Sequence, residues 1–283
     1  MASLRLLHVG DVVGDPGIAA VTHLLPELRE SDSLDFVVVN GENSHKGRGF
    51  NERQVKKMLA AGADVITGGD HSFDKHLIFG YMNKEERLLR PFNYPDDVPG
   101  KGFGVYHVPA VEAQVAVLNL RGQSFFHNPI RCPLQGADAA LGELEPHTNL
   151  IFVDYHAEAT AEKIAMGWYL DGRVSAVSGT HTHVQTGDEQ ILPQGTGYLT
   201  DVGFTGAHNS VIGLDTATAL ERMKLQIPRK YKAGKGDTRL KGALYEIDLE
   251  TGKCLKVKRY NISCPEEAVD DLLKRIEESE EGS

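Results

Sequence analysis

The sequence predicts an α/β fold, and three observations carry that reading. Short runs rich in Val, Ile and Leu alternate with stretches of helical spacing over most of the chain. Acidic, amide and histidine residues gather just past the ends of those runs, where open parallel sheets form their ligand crevice. Toward the carboxyl terminus the alternation gives way to two strand-like segments around a turn.

The elements follow in order. Leu4 to Val9 reads as a first strand, and Pro16 to Glu30 as a helix, with a proline in its first turn and apolar residues at Ile18, Val21, Leu24, Leu25 and Leu28. Phe36 to Asn40 and Asp64 to Thr67 are the next strands, separated by a helical stretch from Glu52 to Ala61. Val115 to Leu120, Leu150 to Asp154 and Val174 to Ser178 continue the strand series, with a helix at Ala159 to Leu170. Leu214 to Met223 is helical in spacing. Ala243 to Leu249 and Cys254 to Tyr260 flank Glu250-Thr251-Gly252-Lys253, a hairpin signature. No repeat or Pro/Ser-rich linker interrupts the chain. Residues 1–283 are therefore read as one domain with a hairpin at about 243–260 and an acidic tail at 266–283.

Composition narrows the class. A formal net charge of −10 argues against a general nucleic-acid-binding surface, although the acidic tail supplies part of the excess. A basic run at Arg229, Lys230, Lys232, Lys235, Arg239 and Lys241 has the opposite sign and reads as a solvated loop or an anion-attracting one. No segment is apolar enough for a membrane span, and the amino terminus runs straight into a strand without a signal-type core, so a cytoplasmic protein is expected. Cys132, Cys254 and Cys264 are too few and too far apart for a disulfide framework or a structural zinc, and are read as reduced thiols.

The chemistry lies at the strand ends. Asp11 follows the first strand, Glu42 and Asn43 the second, and Asp70 and His71 the third. His156 closes the segment Asp154-Tyr155-His156, and His181 and His183 follow the strand ending near Ser178. Any one of these is an ordinary turn or cap residue. Together they place carboxylates and imidazoles from five segments at one place, where divalent cations would neutralise the carboxylates and use the imidazoles as ligands. Residues i and i+2 of an extended chain point the same way, so His181 and His183 are expected to reach one site from an extended segment. Gly10, Gly41, Gly68, Gly69 and Gly179 precede these residues and would let the backbone turn or approach closely. Gly10 to Gly17 lacks GxGxxG spacing, which removes a dinucleotide-binding reading.

These residues resemble the calcineurin-like metallophosphoesterase superfamily, whose motifs run D-x-H, GD-x-x-D, GNH-D/E, a lone His and GH-x-H. The order is kept, but Val13 stands where the first motif has His and Asp70 where Asn is usual. Gly-Asp-Val-Val-Gly, Gly-Glu-Asn-Ser, Asp-Tyr-His-Ala-Glu-Ala-Thr, Gly-Thr-His-Thr-His-Val-Gln-Thr and Thr-Asp-Val-Gly-Phe-Thr-Gly look like the YmdB subfamily of bacterial phosphodiesterases, from Leu4 to about Tyr260.

The resemblance implies a four-layer sandwich, two packed β-sheets flanked by helices. It also implies two divalent metal ions, iron or manganese, with Asp11, Glu42, Asn43 and His183 on one, Glu42, Asp70, His156 and His181 on the other, and Glu42 between them. The expected activity is hydrolysis of phosphodiesters such as 2′,3′-cyclic nucleotides. A water bridging ions roughly 3.5 to 4 Å apart would attack phosphorus in line, with His71 as proton donor. Asp154, Glu158, Thr180, Thr182 and Asp201 are candidates for supporting the ligands, and His45, Lys46 and Arg48 for lining the mouth. The competing reading is a metal-binding regulatory protein with weak or no turnover, which the change at Asp70 keeps open. An amidohydrolase is disfavoured because its His-x-His pair follows the first strand. The substrate, an RNA-related partner and a homo-oligomer are left open.

Overall fold

A computed structural model of the chain describes residues 2–281. Among the described residues, thirteen strands and seven helices follow in the order β1 (Ser3–Val9), β2 (Asp11–Val12), α1 (Gly14–Ser31), β3 (Phe36–Asn40), α2 (Glu52–Ala60), β4 (Val65–Thr67), α3 (Phe79–Met82), β5 (Phe103–Val108), β6 (Ala113–Arg121), α4 (Pro133–Leu144), β7 (Ile151–His156), α5 (Thr160–Leu170), β8 (Ala176–Thr180), β9 (Gln190–Ile191), β10 (Gly197–Leu199), β11 (Phe204–Ala207), α6 (Thr216–Leu225), β12 (Thr238–Asp248), β13 (Cys254–Ser263) and α7 (Glu266–Glu281). The last two residues of the predicted acidic tail, Gly282 and Ser283, lie outside the described residues. Among the described residues no helix is long and apolar enough to cross a membrane, and all three cysteines are free.

The strands form two mixed sheets. One has the order β2-β11-β12-β1-β3-β4 with β13 paired to β12; the other runs β5-β6-β7-β8-β10-β9. Parallel pairing joins β1 to β3, β3 to β4, β6 to β7 and β7 to β8, as the alternation of strands and helices predicts. The carboxyl-terminal hairpin is longer at both ends than the sequence suggests. It is no appendage, because β12 runs antiparallel to β1 along the whole of β1, from Ser3↔Asp248 to Val9↔Gly242. β5, β11 and α4 are further elements that the sequence reading does not anticipate.

A period of two along each strand divides the core into layers. Leu4 and Leu6 of β1, Phe36 and Val38 of β3, and Phe152 of β7 meet between the sheets, in one cluster with Val115, Val117, Ala176 and Tyr245. The alternate residues Leu7, Val9, Val37 and Val39 face helices α1, α2 and α7 through Ile18, Leu25, Met58 and Val269. On the other outer face Leu118, Ile151, Val153 and Tyr155 pack on Ala137, Leu141 and Met166 of α4 and α5. The result is four layers, helix, sheet, sheet and helix, as expected.

Between the sheets the inward positions change character toward the carboxyl ends of the strands. Leu6 is followed by His8, Val38 by Asn40, Val65 by Thr67, Phe152 by Asp154 and then His156, and Ala176 by Ser178 and then Thr180, all of them buried. Burial of unpaired polar groups is costly, so this end of the inter-sheet layer must satisfy itself internally or through a ligand.

Candidate functional site

The polar ladder is organised around Asp154. Its carboxylate accepts from Thr67 Oγ1 at 2.5 Å, Asn40 Nδ2 at 3.0 Å and Thr180 Oγ1 at 2.8 Å, with His8 Nε2 at 3.6 Å. These partners hold the carboxyl below its usual pKa range: burial pushes it up, and His8 and the hydrogen bonds outweigh that. Because the Thr180 hydroxyl donates to Asp154, it accepts from His156 Nδ1 at 2.9 Å. That bond puts the proton of His156 on Nδ1 and leaves Nε2 bare.

His156 Nε2 faces Glu42 Oε1 at 3.0 Å, Asp70 Oδ1 at 3.2 Å and His181 Nδ1 at 2.9 Å. His181 repeats the logic with its nitrogens exchanged. Its Nε2 lies 3.0 Å from the Glu158 carboxylate, an acceptor, so Nδ1 is the bare nitrogen, 3.3 Å from Asp70 Oδ1. In His183, Nδ1 donates to the Ile212 carbonyl at 2.9 Å, and Nε2 lies 3.2 Å from Asn43 Oδ1 and 3.9 Å from Asp11 Oδ1. Three imidazoles thus turn lone pairs toward oxygens that also carry lone pairs.

Such a cluster needs positive charge between its members. Glu42, Asp70, His156 and His181 each offer a ligand atom within 4.8 Å of the others. Among the described residues Asp11 Oδ1 is buried without a hydrogen-bond partner, while Oδ2 accepts from the His181 amide at 3.1 Å. Burial raises the Asp11 carboxyl above its ordinary value, an effect that His183 and His156 only partly offset. Burial opposes charge on His156, but the carboxylates of Glu42 and Asp70 outweigh it and lift the imidazole well above 6.5, so in the absence of a cation Nε2 takes up a proton and bonds to Asp70. Without a cation the cluster therefore draws in protons, and divalent ions suit the same donor set. The backbone makes room for them: a Cβ on Gly69 would fall 2.2 Å from Glu42 Oε2 and 2.4 Å from His156 Nε2. Gly69 serves close approach rather than a sharp turn.

All eight residues singled out from the sequence come to this end of the sheets. Asp11 opens β2, His156 closes β7, and the others lie in the loops after β3, β4 and β8. His71 borders the cleft, with its amide on Glu42 Oε2 at 3.1 Å and its Nδ1 3.1 Å from Asp74 Oδ2 and 3.4 Å from Asp70 Oδ2. One expectation is corrected. β8 ends at Thr180, and His181 and His183 stand at φ of 96° and 64°, in a left-handed bend rather than an extended run. They reach different partners because the bend, not strand alternation, aims them.

The cleft over the cluster holds about 590 Å³ and is lined by Lys46, Arg48, Ile212, Met223 and Tyr231 among others. A roomier depression, about 750 Å³, lies beside β5 at Arg87, Arg90 and Tyr106, away from the imidazoles. The sequence reading misses Phe126, whose ring centroid lies 4.9 Å from that of His181 and under the buried Arg121 guanidinium at 4.7 Å. It sits in a loop without a motif. His8, Asn40, Thr67 and Ser178 are also missed, although each is a polar residue in the inward phase of a buried strand, which is a readable signal.

Comparison with known proteins agrees with this geometry. The family model described as YmdB-like protein matches residues 7–260. A Bacillus subtilis (strain 168) protein named 2′,3′-cyclic-nucleotide 2′-phosphodiesterase is 43% identical over 260 residues, covering 92% of this chain and 97% of its own. A structure of a hypothetical protein from Thermus thermophilus superposes with a TM-score of 0.86 at 37% identity, covering 93% of this chain and 100% of its own. A structure of a phosphatase from Mycoplasma pneumoniae reaches a TM-score of 0.86 at 28% identity, covering 95% of this chain and 97% of its own.

Proposed function

The chain belongs to the YmdB-like protein family, and from that premise we propose that it is a phosphodiesterase acting on 2′,3′-cyclic nucleotides or related diesters at a centre of two divalent cations. In this reading Asp11, Asn43 and His183 hold one ion, Asp70, His156 and His181 hold the other, and Glu42 is shared. The observation that carries it is the paired state of the three imidazoles. Each has one nitrogen committed to Thr180, Glu158 or the Ile212 carbonyl and the other turned to Glu42, Asp70, Asn43 or Asp11. The mixed nitrogen and oxygen set suits iron or manganese. Bound there, the cations supply Lewis-acid stabilisation of charge on the phosphoryl oxygens.

The chain's own residues complete the chemistry. The leaving group of a diester is a ribose or alkoxide oxygen that needs a proton, and in this reading His71, which lines the cleft, delivers it. His71 Nδ1 lies 3.1 Å from Asp74 Oδ2 and accepts from Arg48 Nε at 3.3 Å, contacts that hold the ring at the cleft wall. Lys46 and Arg48 line the same cleft and in this reading attract the anionic substrate. In this reading the protein works in the cytoplasm, the setting expected from the sequence.

The test is a panel of 2′,3′-cyclic, 3′,5′-cyclic and linear diesters beside monoesters, assayed with iron and with manganese. We expect the 2′,3′-cyclic nucleotides to be preferred and elemental analysis to find about two ions per chain. A preference for monoesters of about tenfold or more in kcat/KM overturns the diesterase reading. One ion or fewer after reconstitution, unchanged in Glu42→Gln, overturns the two-metal centre.

A further inference from the structure

The flank of the cleft formed by α6 and the segment after it is unusual in two ways. Helix α6 fully buries only Ala219, and Leu220, Met223, Leu225 and Ile227 are 58%, 73%, 46% and 49% exposed. Apolar residues on a helix ordinarily face a core, and these do not. Residues 216–232 also carry five cationic side chains, Arg222, Lys224, Arg229, Lys230 and Lys232, against the single Glu221, in a chain of net charge −10. Arg229 pairs with Glu221 and Lys232 with Asp215, while Lys224 and Lys230 form no ion pair among the described residues. The flank is continuous with the chemistry, because Arg222, Met223 and Tyr231 line the same cleft as His181 and His183. At its inner edge Ile212 is 55% exposed at φ 46°, a costly conformation for a β-branched residue, and its carbonyl holds His183.

We propose that this flank binds a single-stranded RNA chain ending in a 2′,3′-cyclic phosphate, so that the substrate class is RNA 3′ ends as well as free mononucleotides; this rests on the phosphodiesterase reading above. A 2′,3′-cyclic phosphate requires a 2′-hydroxyl, so any polymer that carries one is RNA. Each preceding nucleotide adds a phosphate and a base face, the two features that a basic and apolar strip receives. Charge complementarity points to this occupant, since a strip with five cationic side chains against one acidic side chain meets a line of phosphates. In the hydrolysis the oxygen of water bonds to phosphorus and the bond from phosphorus to one ribose oxygen breaks. That oxygen takes a proton, and the product is a terminal phosphomonoester.

The experiment compares kcat/KM for 2′,3′-cyclic AMP and for a pentaribonucleotide with a 2′,3′-cyclic end, over a range of salt. We expect the oligonucleotide to be favoured about tenfold or more at low salt, with the advantage falling as salt rises. The double variant Lys224→Glu/Lys230→Glu should reduce the oligonucleotide-to-mononucleotide ratio about tenfold. Lys256→Glu/Lys258→Glu, with the same change of charge on β13, should not. Equal use of the two substrates, or equal effects of the two double variants, overturns the proposal. So does a concentration-dependent dimer that Leu220→Ser abolishes while leaving the substrate ratio unchanged, because the strip then belongs to a second copy. If neither substrate is hydrolysed the phosphodiesterase reading fails, and fluorescence anisotropy of the labelled oligonucleotide decides the RNA proposal separately. Binding that weakens about tenfold in Lys224→Glu/Lys230→Glu supports it, and no binding overturns it.

Discussion

Lys163 Nζ and Asp201 Oδ2 meet at 2.6 Å with both side chains 1% exposed, and this pair holds the bend that carries two of the cluster's imidazoles. The same Asp201 oxygen accepts from Thr182 N–H at 3.2 Å and Thr182 Oγ1 at 2.7 Å, while Oδ1 accepts from Gly203 N–H at 2.8 Å. Thr182 lies between His181 and His183, whose positive φ angles cost about 1–3 kcal/mol each and persist because the surroundings enforce them.

Lys163→Met should therefore leave a buried carboxylate without its cation and destabilise the protein by about 3–5 kcal/mol. Metal content should fall with it. Lys163→Met/Asp201→Leu removes the orphaned charge, so it should regain thermal stability without regaining metal. Calorimetry and elemental analysis of both variants check this, and full metal content in the double variant would show that Asp201 does not position the bend.

For His71→Ala we expect a loss of turnover of about 10²–10⁴-fold with metal content retained, since the role assigned is proton transfer. The defect should shrink for a p-nitrophenyl diester, whose leaving group needs no proton. Loss of an ion from the variant would make His71 a ligand instead.

Asp70→Asn should stay folded and active but change its preference between iron and manganese. The carboxylate adds negative charge beside His156 Nε2 and His181 Nδ1, at 3.2 and 3.3 Å, and its removal weakens the pull on a harder ion. Metal titrations of the two proteins settle the point, and identical affinities would mean that this charge is immaterial.

A pH effect is expected from His208. Burial, with Lys241 beside it, pushes its imidazole down to about 4, and Phe204 packs against the ring at 4.2 Å between centroids. The unfolded chain, near 6.5, binds this proton before the folded one does, so stability is lost as pH falls from about 6.5 to about 4. His208→Gln should flatten that part of the profile of Tm against pH. An unchanged acid slope would assign the loss to other groups.

Much of this architecture is legible in the chain itself. The runs at Leu4, Phe36, Leu150 and Val174 announce buried strands, and the residues just past them, from Asp11 to His183, announce the site. Local sequence suffices there because side-chain period and turn chemistry depend on near neighbours. The hairpin is visible as a hairpin, but not as the partner of β1 from Ser3 to Val9, since that pairing joins residues more than two hundred positions apart.

What the sequence by itself determined is the class of fold, where its main buried strands lie along the chain and the kinds of side chain that meet at their ends. Tertiary structure alone decided how those side chains face one another. Which nitrogen of His156, His181 and His183 is bare depends on Thr180, Glu158 and the Ile212 carbonyl, and the last of these is 29 residues from its imidazole in the chain. The left-handed bend at His181 and His183 depends on a buried charge supplied by α5. The exposed basic and apolar strip on α6 becomes meaningful only once the fold sets it against the same cleft. Hydrogen-bond direction and charge compensation are properties of groups brought together through space, so no local pattern of residues encodes them.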